Sequence, residues 1–233
     1  RSPRRLLRRT GTGAAAAAVH VVPDGVDPDL FRPARSVGLP PWREEPGPHA
    51  VYCGHLYEYK GIPTVIGAAR RSPGVVFHLV GGLPADIDTT RRAAEGLCNV
   101  RLHPPTTHRN VPPYLWHADV LILPPSARHP SAAWTSPVKL GEYLMSGRPI
   151  VASRVPGLES WVRSPEVRWF KPDDPESLVA EIDATLCECA AERAMRAEAA
   201  AAAAERFTYA KRAMAISLAE GRSRAVAANG VAA

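Results

Sequence analysis

The sequence of 233 residues lacks the patterns that mark several large protein classes. No apolar run is long enough to span a bilayer, and the N-terminal stretch has no apolar core of the kind that signal peptides carry. Cysteine is scarce, and the four cysteines at positions 53, 98, 187 and 189 do not have zinc-ligand spacing. We therefore expect a soluble, cytoplasmic protein with reduced thiols and no bound metal.

Familiar catalytic and nucleotide-binding motifs are also absent. The chain has no Gly-x-x-x-x-Gly-Lys-Ser/Thr loop, no Gly-x-Gly-x-x-Gly after its first predicted strand, no Gly-x-Ser-x-Gly turn and no His-Glu-x-x-His helix. His108 and His129 stand alone in predicted loops without ligand spacing. We interpret both histidines as structural or solvent-exposed.

Acidic residues are missing from the first part of the chain, and this accounts for the net charge. Five arginines precede the first acid, Asp24, which leaves 24 basic residues against 23 acidic ones in the rest, so the formal charge of +6 belongs mostly to a short arm. Such an arm can contact nucleic acid or an anionic membrane surface. We favour a solvated tail, expect no nucleic-acid partner and leave peripheral membrane contact open.

Composition divides the chain into four segments. We predict a basic and alanine-rich tail at residues 1–18, an extended linker rich in proline at 19–48, the main domain at 49–189 and a helical segment at 190–233 that is disordered from Arg222 onward. The tail is interpreted as the remnant of something cut away.

The main domain alternates continuous apolar runs with helical patterns. This texture predicts a parallel sheet covered by helices on both faces, that is, an α/β Rossmann-like doubly wound sheet followed by C-terminal helices. The predicted strands are Ala50–Cys53, Val75–Val80, Val100–Leu102, Val120–Leu123, one starting at Ile150, and Val167–Phe170. The predicted helices are Gly61–Arg71, Asp86–Glu95, Val111–His117, one from Pro137 to Gly147, Leu158–Val162, one from Pro175, Ala190–Arg206 and Tyr209–Glu220.

Ligands of a doubly wound sheet bind beyond the carboxyl ends of its strands, which makes the loop after the first strand a candidate. Gly54 permits close backbone approach, His55 follows it, and Lys60 stands at the mouth of the next helix. Together these residues can hold a phosphate. A surface lysine beside a hydrogen-bonded histidine is the alternative.

Two further strand ends give weaker signals. Gly82 belongs to a glycine pair that can form one wall of a cleft, and His103 opens a stiff His-Pro-Pro shelf on which a flat ring can rest. Ordinary turns at both places remain the alternative.

The fourth candidate is the start of the helix near residue 136. Ser136, Pro137, Val138 and Lys139 lie where the free N–H groups and positive potential of a helix N-terminus suit an anion. Glu142, a turn further on, can accept hydrogen bonds from two neighbouring hydroxyls such as those of a ribose. The alternatives are a carboxylate that merely stabilises its helix and a solvated lysine.

Several motifs in order resemble one enzyme family. The chain resembles the C-terminal half of group 1 retaining GT-B glycosyltransferases. The resemblance is carried by residues 21–27, 54–61, 118–124, 136–144 and 147–153, with Phe207-Thr208-Tyr209 and Arg212. The resemblance implies a domain that binds a nucleotide sugar, UDP- or GDP-linked. Because protein cations can neutralise the diphosphate and the sequence shows no acidic metal site, we expect no metal or other cofactor. The resemblance also implies a missing or separate N-terminal domain that carries the acceptor.

The resemblance assigns individual positions. Lys60 matches the diphosphate-binding lysine of the family, and Glu142 matches the second glutamate of its Glu-x7-Glu motif, which holds the ribose. Trp134 stands where the first glutamate is expected, and His55 where an arginine is frequent. These departures affect recognition of the sugar more than recognition of the nucleotide.

The expected function is therefore donor binding for glycosyl transfer with retention to an unknown acceptor. No catalytic residue is assigned within this chain, because the acceptor half usually brings those groups. The alternatives are a non-catalytic nucleotide-sugar-binding or regulatory module that kept the fold and, less favoured, a nucleotide-sugar epimerase of the same architecture.

Overall fold

A computed structural model describes residues 21–33, 39–42, 45–135 and 138–230, with side chains up to residue 220. The predictions for the tail at 1–18 and for Ser136 and Pro137 fall outside these residues.

A six-stranded parallel sheet forms the centre of the molecule, in the order β3-β2-β1-β4-β5-β6. The strands are β1 His49–Cys53, β2 Val76–Val80, β3 Val100–His103, β4 Val120–Leu123, β5 Ile150–Ser153 and β6 Arg168–Phe170. Predicted and observed strand bounds differ by at most one residue. The order reverses between β1 and β4, and such a switch point opens a crevice at the carboxyl ends of the strands. The predicted doubly wound α/β fold is confirmed.

Helices cover both faces of the sheet. They are α1 Pro28–Phe31, α2 Ile62–Arg71, α3 Pro84–Ala93, α4 Pro112–Trp116, α5 Val138–Ser146, α6 Pro156–Glu159, α7 Pro175–Leu186, α8 Ala190–Ala204 and α9 Tyr209–Gly230. Proline opens several of them, because its fixed φ suits a first turn and its missing N–H costs no hydrogen bond there. No described helix has both the length and the apolar character needed to cross a membrane.

The two faces of the sheet carry separate apolar cores. Alternate strand residues such as Val51 and Leu121 face α5 and α8, whereas Tyr52, Phe77 and Ile122 face α2 and α7. Helix α5 presents the face that its spacing predicts, and its Tyr143 hydroxyl accepts a hydrogen bond from the backbone N–H of Cys53 at 2.9 Å. This bond fixes α5 beside the end of β1.

The ends of the described chain differ from the predictions. Within the predicted linker, Val26 and Phe31 are buried in the core, and Val26 forms a β-bridge with Thr208. A linker prediction from proline and charge misses this packing because it depends on residues far along the chain. Helix α9 runs to Gly230 instead of stopping near Glu220, in keeping with an alanine-rich sequence that contains no proline.

Candidate functional site

Two lysines from different strand ends line one cavity. Lys60 ends a 3₁₀ turn, Glu58–Lys60, after β1, and Lys139 lies in the first turn of α5. They line a cavity of about 190 Å³ together with Tyr52, Val138, Thr135 and others. The fold thus brings together two of the loops that the sequence singled out.

Gly54 makes room for one of these lysines. A Cβ at Gly54 would lie 2.1 Å from Cε and 2.5 Å from Nζ of Lys139, so the lysine side chain crosses directly over the glycine. The close approach at Gly54 is made here by a lysine side chain, and the role of Gly54 in holding a phosphate stays a prediction.

The cavity is positively charged. Burial, and then the charge of Lys139, lower the pKa of Lys60 below its usual value. Within the described part of the chain no carboxylate forms an ion pair with either lysine. The Nζ of Lys60 lies 5.2 Å from the ring centroid of Tyr59. Two lysines that line one cavity and have no ion-paired carboxylate among the described residues suit an anion of more than one charge.

A glycine sets the position of the Lys60 turn. Gly61 has a φ of +81°, and a Cβ there would stand 1.6 Å from the carbonyl oxygen of Pro124 in the loop after β4. The backbone of Ser126 donates to the carbonyl of Tyr59 at 3.0 Å and ties the same two loops together. Lys60 is therefore carried on a turn that packs against the neighbouring strand end.

Glu142 has a partner that the sequence did not indicate. Its carboxylate is buried, and Oε1 lies 2.9 Å from Nε2 of His108, which starts a 3₁₀ turn after β3. The interpretation of His108 as merely structural or solvent-exposed is incomplete. About half of its side chain is exposed, but its ring contacts Glu142, the residue that we predict to bind the ribose. The two residues are 34 positions apart, and no spacing rule links them.

His103 does not offer its ring to the lysine cavity. Its Nε2 lies 2.9 Å from Nδ1 of His78, and its ring packs against Trp42 and Tyr114. Burial lowers the pKa of His103. The exposed part of the predicted shelf is therefore Pro104–Pro105.

The remaining predicted residues lie around the same strand ends. The exposed ring of His55 stacks on Tyr57 with centroids 4.9 Å apart, and its carbonyl accepts from the Tyr52 hydroxyl at 2.7 Å. A side chain at Gly82 would meet Cγ of Leu56 at 2.8 Å, so this glycine forms a tightly packed wall. Trp134, half exposed, follows the 3₁₀ helix Pro130–Ala133.

Sequence comparisons find relatives for this chain. Residues 47–188 match the family model described as Glycosyl transferases group 1. The chain is 29% identical over 213 residues to a D-inositol 3-phosphate glycosyltransferase of Xylanimonas cellulosilytica, covering 84% of this chain and 49% of that protein. It is 31% identical over 173 residues to D-inositol 3-phosphate glycosyltransferase 1 of Catenulispora acidiphila, covering 65% and 39%. The chain thus spans half or less of these relatives.

Solved structures share the fold. Anabaena HepE in complex with UDP-glucose superposes with a TM-score of 0.68 at 19% identity, over 93% of this chain and 59% of HepE. Sucrose-phosphate synthase from Thermosynechococcus elongatus gives a TM-score of 0.69 at 23% identity, over 97% and 56%. A glycosyltransferase from Rickettsia africae gives 0.69 at 14%, over 85% and 55%. In each case this chain corresponds to little more than half of the larger protein.

Proposed function

The chain belongs to the group 1 glycosyltransferases, and from this premise we propose that it binds the nucleoside diphosphate of a sugar donor for glycosyl transfer. The observation that carries the proposal is the pair of lysines, Lys60 and Lys139, around one cavity at the switch point of the sheet. A diphosphate supplies the negative charge that this cavity lacks.

Each part of the donor has a place in this proposal. Lys60 and Lys139 bind the diphosphate and stabilise the negative charge that develops on it as the glycosidic bond breaks. Glu142 accepts hydrogen bonds from the ribose hydroxyls, and the base rests near Pro104–Pro105. Ser136 and Pro137, which precede Val138 in the sequence, complete the phosphate side in this proposal.

Charge also bears on the need for a metal. In many transferases a divalent cation neutralises the leaving diphosphate, and here two lysines supply that charge. We therefore propose transfer without a metal, with retention of configuration as the resemblance to GT-B enzymes implies. An acceptor domain, on the same longer polypeptide or on a partner, brings the acceptor and the remaining catalytic groups.

Calorimetric titration with UDP and GDP tests donor binding. Loss of a hydrogen bond to a charged group costs about 1.5 to 3 kcal/mol, so Lys60→Ala and Lys139→Ala should each weaken binding by roughly 10- to 100-fold. Lys171→Ala is the matched control, because Lys171 is an exposed lysine whose ion-pair partner is Asp174. Uridine, which has no phosphate, should bind equally to wild type and to the lysine variants.

Two results would overturn the assignment. One is the absence of binding of either nucleotide to the wild-type chain. The other is unchanged affinity in both Lys60→Ala and Glu142→Ala. The HepE complex contains UDP-glucose, and for that reason we expect UDP to bind more tightly than GDP.

A second candidate is a binding module without transferase activity, and Trp134 favours it. This tryptophan is 50% exposed and occupies the position at which the family places a sugar-contacting glutamate. Supplying an N-terminal acceptor domain from a relative separates the two candidates. Transfer supports the enzyme, whereas donor binding without turnover supports the module.

A further inference from the structure

The contact between His108 and Glu142 has a direction. In the tautomer that carries its hydrogen on Nε2, His108 donates to Oε1 of Glu142, because a carboxylate accepts hydrogen bonds and does not donate. The contact of 2.9 Å therefore uses Oε1 as an acceptor and fixes the plane of the carboxylate. A glutamate side chain has three rotatable bonds, and such a contact removes part of that freedom.

His108 is itself held in place. Its ring packs against the fully buried ring of Phe31 with centroids 5.0 Å apart. The carbonyl of Phe31 accepts a hydrogen bond from the indole of Trp116 at 2.8 Å, which anchors α1 to α4. The 3₁₀ turn that carries His108 is closed by a bond from Asn110 N–H to the Thr107 carbonyl at 2.8 Å.

The two side chains differ in exposure. Only 9% of the Glu142 side chain is exposed, against 55% of the His108 side chain. The contact with His108 restricts the orientation of the buried Glu142 carboxylate, and the histidine itself lies at the protein surface. This arrangement fits a group that orients the carboxylate better than one that merely fills the core.

We propose that His108 is a positioning residue that orients the Glu142 carboxylate toward the hydroxyls of a bound ribose. The inference rests on the proposed donor-binding function and deepens it. In this view His108 acts through Glu142, and its loss reduces discrimination between ribose and deoxyribose more than it reduces binding of the diphosphate.

The experiment compares UDP with 2′-deoxy-UDP in calorimetric titrations of the full chain, using the guanine pair instead if the wild type binds only GDP. The measured quantity is the dissociation constant for 2′-deoxy-UDP divided by the dissociation constant for UDP, so a larger ratio means stronger preference for ribose. In His108→Ala the ratio should fall on the order of tenfold, toward that of Glu142→Ala, as for loss of one hydrogen bond to a charged group. His108→Gln should restore much of it, since the amide can still donate.

His129→Ala is the matched control, because His129 is another exposed loop histidine whose ring contacts Ser131 and Tyr59. It should leave the ratio unchanged, and thermal unfolding of every variant checks that it is folded. If Glu142→Ala lowers the ratio and His108→Ala does not, the positioning role is refuted while the proposed function stands. If the wild type binds neither UDP nor GDP, the proposed function fails and the inference fails with it.

Discussion

Acidification should destabilise this domain through one buried histidine, His78. The residue lies in β2 with no exposed surface, and both of its ring nitrogens contact histidines. Nε2 lies 3.0 Å from Nδ1 of His49 and Nδ1 lies 2.9 Å from Nε2 of His103, while Trp42 stacks on the ring at 4.2 Å. Burial, with the nearby His103, His49 and Arg101, lowers the pKa of His78 from 6.5 to about 3.

The sign and size of the effect follow from proton linkage. Between pH 3 and 6.5 the unfolded chain binds a proton at this position that the folded chain does not, so stability rises with pH in this window and falls on acidification. Between pH 7 and pH 5, proton binding at this position in the unfolded state lowers the free energy of unfolding by about 2 kcal/mol.

Urea unfolding at pH 5, 6 and 7, followed by tryptophan fluorescence, measures this term. His78→Phe and His78→Asn both remove the titrating group, but only asparagine can still form hydrogen bonds. A change in pH dependence that both variants share is therefore due to the lost titration of His78. Both are expected to be less stable than wild type at pH 7, because His49 and His103 lose bonds. The stability advantage of the wild type should shrink by about 2 kcal/mol on going to pH 5. Parallel loss of stability in all three proteins would refute the reasoning.

Other residues give independent tests. Gly61→Ala should lower the free energy of unfolding by about 2 kcal/mol or more, because the residue has a positive φ and a Cβ would strike a backbone carbonyl. Gly74→Ala, where a Cβ meets nothing within 4 Å, is its control in the same denaturation assay. Lys139→Gln should raise the pKa of Lys60 in a carbon-NMR titration, although burial, the larger cause, should keep that pKa below its usual value. Glu188→Ala should cost about 3 kcal/mol by urea unfolding, since it strips two arginines of a buried partner.

Strand positions could be read from the sequence because the four inner strands are largely apolar runs that the sheet buries on both faces, whereas the edge strands β3 and β6 are only partly buried. The loop residues Lys60 and Lys139 could be placed at one edge by the same reasoning, since the carboxyl ends of parallel strands share an edge. Neither step requires knowledge of a distant contact. That Lys139 crosses over Gly54 and shares a cavity with Lys60 comes from the structure.

Two other features depend on contacts that no local pattern records. The predicted third strand stops at Leu102, but pairing continues to His103, and strand alternation then turns that ring onto the sheet face beside His78. The partnership of His108 with Glu142 joins two elements that come together only when α5 packs on the sheet. Single-sequence spacing contains neither fact.

The bridge at Val26 has a consequence for the order in which the protein is completed during synthesis. The backbone N–H of Val26 donates to the carbonyl of Phe207 at 2.7 Å, and the carbonyl of Val26 accepts from Tyr209 at 3.3 Å. Val26 leaves the ribosome long before its partners Phe207 and Tyr209 are made. Until then Val26 lacks both of these hydrogen bonds, and contacts of such long sequence separation form slowly. We expect chains stalled before Phe207 to be cleaved by protease near Val26, and chains that extend past Tyr209 to be protected there.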